Sequence, residues 1–265
     1  METLLTHNHV MDGETVALAM RKAVPVGALP KPGFVWLGGF RSDMTGTKAQ
    51  AMVDEVAALG CASLRFDYSG HGESGGAFEE GTISRWLDEA LAVVLAHTSG
   101  PQILVGSSMG GWVALRMVEE LQKRGEADRL AGLLLIAPAP DFTQKLMEPA
   151  FSAEQRAQMA AQGYIEEPTP YSDEPNIITA KLIEDGRTNS VMDKGLMLGV
   201  PVHILQGTHD PDVPMAHAQE LVQALPHDDV VLTLVKGGDH RLSRDDDIAL
   251  LRRTMGQLLE RVERY

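Results

Sequence analysis

Residues 103–112, ILVGSSMGGW, set two serines among glycines at the end of an apolar run. Gly106-x-Ser108-x-Gly110 fits the frame G-x-S-x-G, whereas Ser107 would need glycine at position 105, which Val105 fills. That frame marks a strand turning sharply into a helix: the serine sits at the strained tip, and the glycines remove side chains that would collide there. Ile103–Val105 reads as the strand and VALRMVEEL as the helix, so Ser108 is the serine presented.

A serine hydroxyl attacks a carbonyl only when a base takes its proton, and the base needs a carboxylate to hold its tautomer. Of nine histidines, His240 in VKGGDHRLS follows the last strand pattern, on a Gly-Gly loop able to carry an imidazole to the sheet edge. His71 and His209 also follow strand patterns and stand in reserve. For the carboxylate, QGTHDPDVP offers Asp210 and Asp212; Asp210, three residues past the glycine that closes the strand, is preferred, with Asp212 as a turn or capping acid. Asp239 adjoins His240 too closely to face it and reads as a loop residue, while Asp67 in RFDYSGHG suits an acceptor of loop amides. The chain order Ser108, Asp210, His240 separates this arrangement from those of chymotrypsin and subtilisin.

Attack on a carbonyl also requires two backbone N–H groups for the developing oxyanion. Met109, at the start of the helix after Ser108, supplies one. The other is expected from Gly38-Gly39-Phe40, where glycines let the backbone approach and Phe40 gives the amide. Arg41 comes next, a candidate for binding an acidic group on the substrate or a solvated cation.

Other chemistries find less support. Gly70-His71-Gly72-Glu73-Ser74-Gly75 matches G-x-G-x-x-G, but Gly76, Ala77 and Gly81 prolong the loop to about Thr82, so no helix opens where a pyrophosphate would need it. No H-E-x-x-H metal motif occurs, and neither a cofactor nor a metal is expected. With 23 basic against 37 acidic residues, net charge −14, a nucleic-acid backbone would be repelled. The single cysteine, Cys61, precludes an internal disulfide and reads as a buried thiol. No apolar stretch reaches the roughly 20 residues of a membrane span. METLLTHNHVMDGE lacks the pattern of a signal or transit segment, so a cytoplasmic protein is expected.

The elements that must position these residues follow an α/β rhythm. Strands are expected at TVALAMRK, FVWLGG, CASLRFD, QILVG, AGLLLIA, VHILQG and VVLTLVK. Helical spacing joins Ala49, Met52, Val53 and Val56; Val113, Met117, Val118 and Leu121; and Ile248, Leu251, Met255, Leu258 and Val262. Several strands are apolar throughout, as in a parallel sheet covered on both faces. Residues 1–140 and 200–265 are expected to form this core. Between 141 and 199 no strand pattern is visible, and Pro149, Pro168, Pro170 and Pro175 interrupt short helical patches, which predicts a helical lid above the carboxyl edge of the sheet.

In GGFRSDMTGTKA, RFDYSGHGESGG, ILVGSSMGGW and GGDHR the sequence resembles the α/β-hydrolase superfamily, and more narrowly its mitochondrial acyl-glucuronide esterase and palmitoyl-protein thioesterase group. The resemblance implies a cofactor-free serine hydrolase acting on carboxylic esters or thioesters through an acyl-enzyme, its substrate a small acyl ester or thioester or an S-acylated protein. By motif position it assigns the nucleophile to Ser108, the acid to Asp210, the base to His240 and the oxyanion donors to Phe40 and Met109. A non-catalytic small-molecule receptor on the same scaffold, and a C–C or amide hydrolase using the same three residues, are the competing readings.

Overall fold

The computed structural model describes residues 2–11, 13–25, 31–169 and 172–264. Among these residues ten strands form: β1 Thr3–Met11, β2 Glu14–Ala23, β3 Gly33–Leu37, β4 Ser63–Phe66, β5 Gln102–Ser107, β6 Leu130–Ile136, β7 Tyr164–Thr169, β8 Ser172–Thr179, β9 Val202–Gly207 and β10 Val230–Val235. The helices are α1 Thr47–Ala58, α2 Ile83–His97, α3 Met109–Lys123, the short α4 Glu148–Ala150, α5 Ala153–Gln162, α6 Ala180–Thr188, α7 Met215–Gln223 and α8 Asp245–Val262.

Eight strands make one sheet in the order β1-β2-β4-β3-β5-β6-β9-β10. The strands from β4 to β10 pair in parallel, and β1 and β2 extend the β4 edge antiparallel. Strands β3 and β5 are buried at every residue, which their continuous apolar runs require once helices cover both faces. One face carries Trp86, Leu91, Trp112, Val113, Met117 and Leu221 from α2, α3 and α7. The other carries Met52, Val56, Leu251, Met255 and Leu258 from α1 and α8.

All seven sequence-predicted strands are present. Strand β1, an added edge, escaped prediction because its residues lie mostly exposed and show no apolar face. The expectation of a strand-free 141–199 is overturned. Strands β7 and β8 form an antiparallel hairpin there, pairing Ile165 with Ile178. Those two isoleucines bury a small separate core with Phe151 and Ile183. Pro168 and Pro175 lie within strands of this two-stranded hairpin, where an unpaired edge tolerates a missing N–H. Pro170 lies outside the described residues.

The excursion leaves the sheet after β6 and returns at β9. Its root is Asp141, a non-glycine residue at φ 55°, whose carboxylate accepts the Ser190 hydroxyl and the Val191 and Met192 amides at 2.8–3.0 Å. Asn189 ties it down further: its carbonyl accepts the Trp112 indole N–H and its amide donates to Ser84. Among the described residues, no helix is long and apolar enough to cross a membrane.

Candidate active site

Ser108, Phe40, Asp210 and His240 all follow carboxyl ends of parallel strands, β5, β3, β9 and β10. An open α/β sheet presents ligands at that edge. Ser107 ends β5 and is buried, while Ser108 occupies the turn with φ 53° and ψ −118°. Such a conformation is strained for a residue with a side chain and persists only when the surroundings over-determine it. Here they do. The Ser108 N–H donates to Ile136 O at 2.9 Å, and its carbonyl accepts the amides of Gly111 and Ala139. The glycines fit for steric reasons: a Cβ on Gly106 would lie 2.5 Å from Gly110 O, and one on Gly110 would overlap the Leu37 carbonyl.

Ser108 Oγ lies 3.0 Å from His240 Nε2, and His240 Nδ1 lies 2.9 Å from Asp210 Oδ2. The Asp210 side chain is fully buried and that of His240 is 20% exposed. Asp210 Oδ1 accepts the amides of Asp212 and Val213, and Gln206 Nε2 donates to Oδ2, so the carboxylate is fixed from three other directions. With Oδ2 as acceptor, the imidazole carries its proton on Nδ1 and offers Nε2 to the serine hydroxyl. The arrangement can draw a proton from Oγ and return it to a leaving group.

The loops carrying Asp210 and His240 are bonded to each other. His209 N–H donates to Gly238 O, Gly237 N–H to Thr208 Oγ1, and Lys48 Nζ–H from α1 to Arg241 O. Burial lowers the Lys48 pKa to about 8, with Arg241 adding to the effect. A Cβ on Gly207 would overlap Gly238 O, so glycine is what lets the two loops meet.

Asp212 lies in the turn before α7, whose N-cap is Pro214. Asp210, Asp212 and His240 offer ligand atoms within 4.8 Å of one another, a grouping that the hydrogen-bonded relay already explains. Asp239 accepts the Leu242 amide within its loop.

Gly39 passes close to the serine: its Cβ would lie 3.3 Å from Ser108 Cβ. That contact brings the loop carrying Phe40 against the serine, while Met109 follows it directly in sequence at the start of α3. The Phe40 ring packs on Phe78, Trp86 and Phe142. Exposed Arg41 stands with its guanidinium 4.5 Å over the Phe78 ring.

Neither reserve histidine reaches Ser108: His209 is exposed, and His71 is buried with Nε2 accepting the Arg41 N–H at 3.2 Å. Asp67 accepts the amides of Met44 and Glu73, joining the loop after β3 to the loop after β4. Burial raises its pKa, and those two bonds oppose the rise. Between Gly70 and α2 the chain runs through a loop and a 3-10 turn, Phe78–Glu80, before Thr82 caps Ile83–His97.

A cavity of about 410 Å³, lined by Lys22, Lys31, Gly33, Cys61, His97 and Gln102, opens at the opposite, amino-terminal edge of the sheet. The fold, with Ser108, Asp210 and His240 gathered at its carboxyl edge, is that of an α/β hydrolase, and the chain belongs to the alpha/beta hydrolase family, which residues 32–252 match. It is 32% identical over 233 residues to the mitochondrial palmitoyl-protein thioesterase ABHD10 of Pongo abelii, covering 87% of this chain and 74% of that one, and 31% identical to the Homo sapiens protein of the same name. Among solved structures it resembles a putative hydrolase from Agrobacterium vitis S4 (51% identity, TM-score 0.94, 98% of this chain and 99% of that one). It also resembles alpha/beta hydrolase domain-containing protein 10 from mouse (30%, TM-score 0.84, the same coverage).

Proposed function

We propose that this protein is a serine hydrolase that cleaves carboxylic ester or thioester bonds through an acyl-enzyme. The observation that carries this reading is the relay from Ser108 Oγ through His240 to Asp210, with bonds of 3.0 and 2.9 Å. Ser108 Oγ attacks the acyl carbonyl as His240 Nε2 takes its proton. The Phe40 and Met109 amides receive the oxyanion. His240 then protonates the departing alcohol or thiol, and a water activated by the same imidazole releases the acid. Asp210 keeps the ring in the required tautomer throughout.

The substrate class is a small acyl ester or thioester, or an S-acylated protein. The likeness to proteins named palmitoyl-protein thioesterases supports the thioester side of this reading. Residues 141–199, which leave the sheet after β6 and return at β9, act as the lid. The reaction needs no cofactor, and the cytoplasm is the proposed compartment.

Acyl thioesters of two to sixteen carbons and p-nitrophenyl esters of the same acids test the assignment. Ser108→Ala should lower turnover by roughly ten-thousandfold or more and abolish fluorophosphonate labelling while thermal stability holds. Turnover surviving in that variant would place the chemistry elsewhere, and a single burst without turnover in the wild type would favour a receptor.

A further inference from the structure

His71 contributes nothing to the proton relay, yet it is buried to 4% exposure one loop away from Ser108. Its ring is enclosed by Tyr68, Phe78 and Trp86, with centroids 5.1–5.7 Å away. Both ring nitrogens are used. Nδ1 lies 3.0 Å from the Ser69 carbonyl, which can only accept, and Nε2 lies 3.2 Å from the Arg41 amide, which can only donate. Those partners admit one protonation state: neutral, with the proton on Nδ1.

The bond to Arg41 matters because of what Arg41 is doing. It is a non-glycine residue at φ 55°, directly after Phe40, and a left-handed backbone is unfavourable for such a side chain. If Arg41 relaxed to negative φ, the Phe40–Arg41 peptide would reorient and carry with it the Gly39–Phe40 peptide, which holds the Phe40 N–H on the loop that packs against Ser108. Asp67 anchors the same loop farther along, at Met44, and within the turn the Ser42 N–H donates to Gly39 O at 3.1 Å; at Arg41 itself the anchoring side chain is His71.

We propose that His71 is a positioning residue for the oxyanion loop: its imidazole, locked as the Nδ1–H tautomer by Ser69, accepts the Arg41 N–H and thereby aims the Phe40 amide. The catalytic consequence rests on the hydrolase reading above; the hydrogen-bonded state of the ring does not. An aromatic cage around the ring supplies rigidity, while the single accepted hydrogen bond supplies direction.

Two measurements decide it. In wild-type protein at pH 7, nitrogen-15 NMR of the ring should report His71 as neutral with the proton on Nδ1. A ring protonated on Nε2 would overturn the proposal whatever the enzyme's activity. In kinetics, His71→Phe keeps the aromatic volume and loses the acceptor, whereas His71→Gln restores an acceptor near Nε2. The expected result for His71→Phe is a kcat lowered roughly 10–100-fold, less than the complete loss of an oxyanion donor, with KM within about threefold. His71→Gln should recover most of it.

A folded His71→Phe with wild-type kcat, or a His71→Gln equally impaired, would overturn the role. If His71→Phe does not fold, the tautomer and the Gln variant still decide. Should Ser108→Ala retain wild-type turnover, the hydrolase reading falls, while the tautomer and the exchange rate of the Arg41 amide in His71→Gln continue to report on the loop.

Discussion

Gly110, in the first turn of α3, abuts the carbonyl oxygen of Leu37 at the end of β3 so closely that a methyl group on its α-carbon would overlap that oxygen. The obstacle is backbone on both sides, since the Gly38 carbonyl lies just beyond and β3 is a central strand paired with β4 and β5. Gly110→Ala therefore forces α3 away from the sheet and should cost about 3 kcal/mol or more, read as a lowered urea midpoint. Activity should fall further than stability, because the same helix start carries the Met109 amide. An unchanged midpoint would mean that the strand end yields easily.

Asp210→Asn tests how the carboxylate is used. Asn can still accept the Asp212 and Val213 amides through one oxygen, but it turns an NH2 toward His240 Nδ1 and Gln206 Nε2, both donors in the native arrangement. The imidazole must then take its other tautomer, with its proton toward Ser108. A kcat loss of about 10³–10⁴-fold with little change in KM is expected, as for carboxylate-to-amide changes in other relays. Asp212→Asn, in the turn beyond, should cost less than about threefold.

Much of this site was legible because its chemistry is tied to strand ends. A strand buried on both faces reads as an unbroken apolar run, so FVWL, QILV and VHIL announce themselves, and the loop that follows each lies at the carboxyl edge. Strand β1 and the hairpin β7–β8 were not legible for the same physical reason inverted: they bury little. In β1 only His9 is fully buried, and the hairpin contributes two isoleucines to a core of four residues. His71 was visible as part of a glycine-rich motif and as a reserve base, not as a partner of Arg41. Its contact with Arg41 spans thirty residues and depends on a backbone angle that no side-chain pattern encodes.

Arg41 offers a test of substrate charge. Its guanidinium lies over the Phe78 ring on the exposed side of the oxyanion loop, while its backbone N–H is the group bonded to His71. Arg41→Ala preserves that backbone bond. If the guanidinium binds an acidic group on the substrate, kcat/KM for an anionic ester should fall roughly 3–5-fold while that for a neutral ester of equal length is nearly unchanged, a difference at the upper end for an exposed ion pair. Equal losses on both substrates would assign Arg41 to the loop alone.

Acid stability should report the buried imidazoles. Burial, opposed in part by the Ser69 carbonyl and aided by Arg41, lowers the His71 pKa from 6.5 to about 4. Burial also lowers those of His7, His97, His203 and His217. Between pH 6.5 and 4 the unfolded chain therefore binds more protons than the native one, and stability must fall as pH falls through that window. The raised Asp67 and Glu167 act in the opposite sense, between their ordinary carboxylate values and their raised ones, so they oppose the loss toward its acid end. His71 alone should account for roughly 2 kcal/mol between pH 7 and pH 5. Urea unfolding at the two pH values measures the slope, and His71→Gln, which cannot titrate, should flatten it by about that amount; a slope unchanged in the variant would show that His71 is already as easily protonated in the folded protein as in the unfolded chain.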